Sequence, residues 1–294
     1  MSTTLTNPQF YTTQYGANWE HLVQQQDSRL MEYCRLVTVR GKERTFNQIG
    51  KAAMVQITGR TEETVAVPGD YRKRWVRTLP YHDVRWFDEF DATFYGEVTE
   101  PDSDTVKSQA MAVARQCDQV GLDAFFGTNY EGELGTTAQA FATANVIANA
   151  GTNLNTAKLI TAREKLSAAE AFSEGNADDA LICVITANQV SALMNDLLFQ
   201  NADHNTQRGL VEGQPTTWLG FKFIRTELLP KAANIRSCLA YVKSGAVLAK
   251  GDQTVDICRR KDRNNAIQVR TTVLLGATRI EEDKFVQIDC DETA

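Results

Sequence analysis

The sequence is poor in the residues from which catalytic and metal centres are usually built. Only three histidines occur in 294 residues, and none belongs to an H-x-x-x-H, H-E-x-x-H or C-x-x-C-H arrangement. No G-x-S-x-G, G-x-x-x-x-G-K-[ST] or G-x-G-x-x-G segment is present. The carboxylate clusters at 178–179 and 281–283 lack accompanying His or Cys, and we interpret them as solvated turns. We interpret His21, His82 and His204 as structural residues, so catalytic residues, cofactor-binding residues and metal ligands are all predicted to be none.

The six cysteines also give no sign of a reactive site. They lie far apart and form no C-x-x-C pair, so neither a zinc site nor a redox motif is indicated. The chain lacks a run of about 18 apolar residues, and its start lacks the basic and apolar regions of a secretory signal. We therefore expect a cytosol-like compartment, no membrane partner, and cysteines that are mostly buried free thiols.

Charge is unevenly distributed along the chain. The net charge of -6 argues against wholesale coating of nucleic acid. Residues 36–87, however, contain ten Lys and Arg against five Asp and Glu, a net charge of +5 that leaves -11 for the remainder. The basic run Arg72, Lys73, Arg74 and Arg77 lies in this segment. A phosphate backbone and an acidic protein surface fit this run equally well as partners.

Residues 100–129 have the clearest periodicity in the sequence. Their apolar members recur at the spacing of one helical face: Val106, Ala110, Val113, Ala114, Cys117, Gly121, Ala124 and Phe125. Acidic residues near the start and Gly127 near the end suit the two helix termini. The pattern predicts one helix of roughly 24 residues, about 36 Å long. Its many small residues predict that another layer, a sheet, packs close to it.

The first residues predict an extended arm. Residues 1–18 have neither helical nor strand periodicity, but they hold Phe10, Tyr11 and Tyr15. An arm and a disordered tail fit this composition about equally, although three aromatic residues are more than a purely solvated tail needs. A short helix is predicted within residues 19–34.

A long antiparallel hairpin is predicted next. Residues 46–58 and 71–79 have strand patterns, and residues 59–70 between them contain Pro68 and Gly69. The strands have too few apolar residues to build their own core, and a two-stranded ribbon alone is marginal in water. The hairpin therefore needs a surface to lie on.

The rest of the chain predicts a small α/β unit followed by long strands. Helices are predicted over residues 155–173, capped by Asn155, and over residues 187–199, capped by Thr186. The predicted strands span residues 180–185, 217–229, 238–242, 254–259, 266–275 and 285–288. Residues 130–151 are predicted to be loop with a short helix, and residues 244–249 to be a turn or short helix.

The order of these elements resembles that of the tailed-phage major capsid protein family, which has the Hong Kong 97-type fold. Three stretches are similar to family patterns: WLGFKFIRTELLP at 218–230, AYVKSGAVLAK at 240–250, and VRTTVLLGATRIEEDKFVQI at 269–288. The resemblance covers nearly the whole chain and implies an α+β fold. It divides the chain into an N-terminal arm (1–35), an extended β-hairpin loop (36–80), a peripheral domain (81–150) with spine helix 102–126, an axial α/β domain (151–250), and returning C-terminal strands (251–294).

The resemblance also implies a function. It is that of a structural major capsid protein, without catalytic or cofactor residues, which self-assembles as hexamers and pentamers into the icosahedral head of a tailed double-stranded DNA phage. The implied location is the virion, after assembly in the bacterial host cytoplasm. The implied partners are further copies, a separate scaffolding protein (since the chain before the hairpin is short), a portal protein, optional decoration proteins, and packaged DNA bound non-specifically. Lys42 and Lys51 lie in the hairpin, but nothing assigns them the isopeptide bond that some members form.

Two alternatives stay open at this point. An encapsulin-like compartment shell would have a similar fold, and an α+β hydrolase would belong to a different class. Under the capsid interpretation, the cationic hairpin is attracted to the acidic body of a neighbouring copy. We therefore expect seven inter-subunit contact residues: Arg72, Lys73, Arg74, Arg77, Phe10, Tyr11 and Tyr15.

Overall fold

The computed structural model describes residues 24–56, 59–60, 66–67, 69–87, 104–173, 175–196, 217–263 and 265–293. Its helices are α1 (Asp104–Phe126), α2 (Thr156–Ala168) and α3 (Ala187–Met194). Its strands are β1 (Arg35–Thr38), β2 (Glu43–Ile49), β3 (Tyr71–Arg77), β4 (Leu79–Phe87), β5 (Asn129–Glu131), β6 (Thr137–Gln139), β7 (Val146–Ile147), β8 (Leu181–Ile185), β9 (Thr217–Trp218), β10 (Phe221–Arg225), β11 (Lys231–Ala232), β12 (Ile235–Val242), β13 (Ala246–Arg260), β14 (Ala266–Arg279) and β15 (Phe285–Asp291). This mixture of helices and strands confirms the α+β class.

The described strands form three sheets. The largest has the order β7-β15-β12-β8-β10-β9, with β11 beside β12. A second sheet has the order β1-β13-β14-β4, and the third has the order β2-β3-β5-β6. The main core lies at the largest sheet, where every residue of β8 is buried, as the continuous apolar run predicts.

Helix α1 is the long helix predicted from the apolar spacing, and it has 23 residues. The predicted start at residues 99–102 lies outside the described residues. Cys117, Gly121 and Phe125 of the predicted stripe are buried. A Cβ atom on Gly121 would lie 3.0 Å from a methyl carbon of Leu248 in β13, so a small residue is needed where helix and sheet meet. The predicted close approach of a sheet is confirmed.

Two polar residues also lie on the buried side of α1, where the apolar pattern did not reveal them. Gln109 donates to the Val269 carbonyl at 3.2 Å and accepts from the Thr271 hydroxyl at 2.8 Å. Asp118 is fully buried as well. Ala110, although part of the predicted stripe, is exposed, because its neighbour Gln109 faces the sheet instead.

The C-terminal end of α1 enters the main core. The rings of Phe125, Tyr241 in β12 and Phe285 in β15 lie with centroids 5.5 to 5.8 Å apart. The helix stops where predicted, at Gly127, whose amide donates to the Asp123 carbonyl at 2.8 Å. The long helix thus spans from the sheet containing β14 to the largest sheet.

Arg279, the last residue of β14, closes the end of α1. Its Nη1 donates to the carbonyls of Phe125 at 2.5 Å and Gly127 at 2.8 Å, and its Nε donates to Glu282 at 2.9 Å. The last carbonyls of a helix have no hydrogen-bond partner within the helix and form the negative end of its dipole. A positively charged guanidinium therefore stabilises them. Burial lowers the pKa of Arg279, and the Glu282 carboxylate opposes that shift.

Helix α2 begins as predicted but ends earlier. The Asn155 side chain accepts from the Lys158 amide at 3.0 Å, which confirms the predicted cap. The helix ends at Ala168 because Glu170 takes a left-handed conformation with φ of 53°, and the amide of Ala171 bonds back to the Leu166 carbonyl. This is a Schellman ending without the usual glycine, so the sequence did not signal it.

Helix α3 is also shorter than predicted, ending at Met194, while residues 197–199 lie outside the described residues. Thr186 lies at the predicted N-cap position, but its hydroxyl bonds to the Gln189 side chain rather than to a backbone amide. The Ala187 amide instead donates to Glu227 at 2.9 Å. A side chain distant in sequence therefore supplies the cap.

Several segments differ from the predictions because pairing between distant strands decides their structure. Residues 130–151 contain the short 3-10 helix Thr143–Asn145, so the predicted short helix is present, but they also contain β6 and β7, which were predicted as loop. Residues 246–249, part of the predicted turn, begin β13 and pair with β1 and β14. The predicted strand at 217–229 is broken by Leu219 and Gly220, both with positive φ, into β9 and β10.

Of the short helix predicted within residues 19–34, the described part, residues 24–34, has a 3-10 helix at Met31–Tyr33. The strands predicted over residues 254–259, 266–275 and 285–288 are all present, and each is longer than predicted. β13 and β14 form one long antiparallel pair, and β15 is paired with β12 in the largest sheet.

Replacing Arg279 with Met should destabilise the subunit strongly. The change leaves carbonyls of α1 and the Glu282 carboxylate buried without their cation, and breaking a buried ion pair costs about 3–5 kcal/mol. Urea denaturation of the purified chain measures the loss. Arg270→Met is the matched control, because Arg270 is exposed on the same strand and its change should stay within about 0.5 kcal/mol. Equal effects of the two substitutions would contradict this role.

Candidate functional site

The predicted hairpin is present, and its base belongs to a larger sheet. β2 and β3 pair antiparallel from Glu43 opposite Arg77 to Ile49 opposite Tyr71. The first strand therefore starts and ends earlier than the predicted range 46–58. β3 also pairs with β5, and the Trp75 indole donates to the Gly132 carbonyl at 2.7 Å. This sheet supplies the surface that the isolated ribbon lacks.

Arg74 differs from the other cations predicted for the hairpin, because it is buried. Its Nε donates to the Ile280 carbonyl at 3.2 Å, and its Nη2 lies 3.7 Å from Glu131 and 3.5 Å from Glu282. Its side chain is 4% exposed. Arg74 thus joins the hairpin to the body of its own subunit, and it is unsuited to an external contact.

Glu282 connects this group to Arg279 and the end of α1. Burial raises the pKa of its carboxyl, an effect that Arg279 and Arg74 oppose. The interpretation of residues 281–283 as a solvated turn is therefore wrong for Glu282, whose side chain is 13% exposed. We call Arg74, Glu131, Arg279 and Glu282 the junction cluster.

The remaining cations of the basic run are exposed. Arg72 pairs with Asp70 at 3.0 Å, and the hydrogen bond with that carboxylate raises the pKa of Arg72. Arg77 pairs with Glu43 at 3.1 Å, and its guanidinium carbon lies 4.4 Å from the centre of the Tyr130 ring. Lys73 is exposed between them. These three side chains present positive charge on the outside of the hairpin.

The hairpin also exposes large apolar side chains: Ile49, Met54, Val55, Val67 and Tyr71. A groove of about 680 Å³ lies between the hairpin and the segment before β15. Lys51 on the hairpin and Glu170 on the body pair at 3.2 Å beside it. Both side chains are more than three-quarters exposed, so this pair adds little to stability. The hairpin therefore has its firm attachment at the junction cluster.

The predicted arm residues Phe10, Tyr11 and Tyr15 lie outside the described residues, but the point where the arm reaches the body is described. Asp118 of α1 accepts from the Ser28 hydroxyl at 2.5 Å and from the amides of Arg29 at 2.9 Å and Leu30 at 3.2 Å. It also accepts from the Gln25 side chain at 2.5 Å. One buried carboxylate thus fixes residues 25–30 on the long helix. A charged residue within an apolar helical face is the sequence signal for it.

The described residues offer little for catalysis or metal binding. No group of three potential metal ligands is found among them. His82 is exposed on β4, while His21 and His204 lie outside the described parts. Asp178 is exposed, as the turn interpretation predicts, and Asp179 accepts from Ser244 at 2.8 Å.

The cysteines are free thiols, and five of the six are buried. Burial raises the pKa of Cys34 to about 12 and that of Cys117 to about 11, which keeps both thiols protonated. No described helix is long and apolar enough to cross a membrane.

Replacing Asp118 with Asn should loosen residues 25–30 from α1. A neutral amide accepts fewer hydrogen bonds and places its own donor against backbone amides, so we expect a loss of about 2–3 kcal/mol. Urea denaturation and protease cleavage within residues 24–30 measure the global and local effects. Asp123→Asn is the control, because Asp123 is exposed on the same helix. Unchanged cleavage in Asp118→Asn would contradict the anchoring role.

Comparison with solved structures identifies known proteins with a similar fold. The head of Helicobacter pylori bacteriophage KHP30 matches with a TM-score of 0.72 at 10% identity, covering 99% of both chains. The head of Helicobacter pylori bacteriophage KHP40 matches with a TM-score of 0.70 at 11% identity, covering 98% of both. The capsid of Cyanophage Pam1 matches with a TM-score of 0.69 at 13% identity, covering 99% of both. These similarities confirm the predicted Hong Kong 97-type fold.

A comparison with curated proteins found no match. Among models of protein families, the one described as phage capsid protein matches residues 8–292. That match begins within the predicted arm and extends beyond the end of β15, and it supports the capsid interpretation over the compartment-shell and hydrolase alternatives. The chain therefore belongs to the phage capsid protein family, and it is a structural major capsid protein of a phage head.

Proposed function

We propose that copies of this chain join head to tail through the basic hairpin, forming the hexamers and pentamers of an icosahedral shell around double-stranded DNA. The observation that supports this most directly is the separation of charge, with +5 on residues 36–87 and -11 on the rest. A cationic projection on an acidic body attracts the body of the next copy, and repetition of that contact around a ring closes it.

The hairpin contact uses Arg72, Lys73 and Arg77, all exposed on one projection. Arg74 is excluded from it, because its guanidinium already serves the junction cluster. Beside these cations, the exposed apolar residues of the hairpin give the apolar area that a lasting protein contact needs. Charge directs the encounter, and apolar burial holds the contact once it has formed.

The proposed domain division is the one that the resemblance implies. The extended loop, residues 36–80, contains β2 and β3, and α1 is the spine of the peripheral domain. The axial domain is built on β8, β10 and β12 with α2 and α3. Assembly takes place in the host cytoplasm with a scaffolding protein and a portal protein. The arm residues Phe10, Tyr11 and Tyr15 contact neighbouring copies.

Reversing the exposed charges of the hairpin should abolish shells. The variant Arg72→Glu/Lys73→Glu/Arg77→Glu keeps Arg74, so its circular dichroism should match that of the wild type. Negative-stain microscopy tests for shells. The matched control, Arg72→Lys/Lys73→Arg/Arg77→Lys, keeps the charge at the same positions and should assemble. Wild-type assembly should also slow as salt shortens the electrostatic range to about 10 Å at 0.1 M. Closed shells from the reversed variant that lose only DNA would assign the run to the genome.

Deleting residues 1–16 should impair assembly and leave the fold intact. The deletion removes the three aromatic contacts of the arm but spares residues 25–30, which Asp118 fixes on α1. Thermal unfolding of the purified chain and counts of closed shells in micrographs separate the two effects. A large fall in the unfolding temperature would show instead that the arm belongs to the core.

A further inference from the structure

The turn between β13 and β14 forms a second concentration of positive charge, far in sequence from the hairpin. Arg259, Arg260, Lys261 and Arg263 lie within five consecutive positions, and all four are exposed. The one acid among them, Asp262, pairs with Arg260 at 2.9 Å. The hydrogen bond from Arg260 lowers the pKa of Asp262 to about 2, so this carboxylate stays charged. Three cations remain in excess.

An aromatic ring orders this turn. Trp86, on the neighbouring strand β4, has the guanidinium carbons of Arg260 and Arg263 at 5.9 Å and 5.8 Å from its ring centre. Guanidinium groups at this distance are attracted to the ring face. The Trp86 side chain is nevertheless 45% exposed. We call Trp86 with the four cations the basic tip.

The residues of the basic tip lie on both faces of their sheet, and helix α1 contacts one of these faces. Helix α1 covers the face of Val269 and Thr271, as the contacts of Gln109 show. Successive strand residues point to opposite faces, so Gln268, whose side chain is buried, lies on the other face. Trp86 pairs laterally with Gln268, and Arg260 with Ala266, which shares that side. Trp86 and Arg260 therefore lie on the face away from α1, whereas Arg259 pairs with Ile267 and lies on the α1 side.

We propose that the basic tip binds the phosphate backbone of nucleic acid, which in a phage head is the packaged genome. This inference rests on the proposed function and assigns its DNA contact to named residues. Positioned guanidinium groups on an open surface are suited to phosphates, with which they form paired hydrogen bonds.

The distribution of apolar surface favours nucleic acid over a second protein here. The exposed apolar residues of β13 near the tip, Val255 and Ile257, pair with Thr271 and Val269 and therefore lie on the same side as α1. A protein interface usually has an apolar centre, and those two residues suit one. The face away from α1 instead presents the guanidinium groups of Arg260 and Arg263 over the Trp86 ring, with the exposed Arg270 on the same face. That arrangement fits a polyanion.

The test measures binding of a short fluorescein-labelled DNA duplex to the purified full-length chain over about 0.05–0.2 M salt. The variant Arg259→Gln/Lys261→Gln/Arg263→Gln removes three charges and keeps the Arg260–Asp262 pair. Each lost phosphate contact should reduce the slope of log affinity against log salt by about 0.9, and affinity should fall about tenfold or more at the lower salt. The control variant, Arg40→Gln/Lys42→Gln/Arg225→Gln, removes three exposed charges elsewhere and should keep both values.

Three results would overturn the proposal. One is absence of salt-dependent DNA binding by the wild-type chain, and another is an equal loss of affinity in both variants. The third is a tip variant that binds DNA normally but fails to form shells, which would make the tip a contact between copies. Wild-type shells seen by negative-stain microscopy test the proposed function separately. If wild-type shells form but the tip variant keeps its DNA affinity, only the proposed DNA contact is rejected.

Discussion

The junction cluster is the interaction on which the arrangement of this subunit depends. Arg279 comes from the end of β14, Glu282 from the turn before β15, Arg74 from the hairpin and Glu131 from β5. Arg279 also holds the last carbonyls of α1. Two of the sheets, the turn that leads into the largest sheet, and the long helix therefore meet at one largely buried group of charges. Buried charges are costly unless each has its partners, so a displaced element would leave several ions unpaired.

This constraint explains how an exposed hairpin can have a defined direction. Most of its surface lies away from the core, and its contact with the body through Lys51 and Glu170 is a solvent-exposed pair of low energy. The direction is set at its root, where Arg74 and Trp75 bond to the body and to the β5 loop. A projection that is firm at its base and exposes both cations and apolar side chains suits a contact with another copy.

Positive charge is concentrated at two separated places in an acidic protein. The hairpin combines its cations with exposed apolar residues, whereas the basic tip places two guanidinium groups over one aromatic ring. The same charge can therefore serve different partners. Exposed apolar area next to the cations favours a protein partner, because a protein contact must bury apolar surface. Little apolar area beside the cations favours a polyanion partner, because the binding free energy then comes chiefly from release of the polyanion's counterions.

Local periodicity was sufficient for several parts of the fold. The long helix, the cap at Asn155, the buried strand β8 and the hairpin were each predicted from residues near one another in sequence. The early end of α2 and the strand in residues 246–249 were not predictable in this way. Glu170 takes a left-handed conformation without a glycine to signal it, and β13 is ordered by partners in β1 and β14.

The features of the candidate site likewise divide into those that the sequence predicts and those that only the fold establishes. The sequence by itself determined that residues 36–87 are cationic, that the chain lacks known catalytic motifs, and that its order of elements resembles a capsid protein. Only the tertiary structure decided that Arg74 is buried while Arg72, Lys73 and Arg77 are exposed, and that Trp86 lies beneath Arg260 and Arg263. The physical reason is that charge and periodicity are properties of neighbours along the chain. Burial and pairing depend on residues that only folding brings together, such as Glu282 for Arg74 and β4 for the turn after β13.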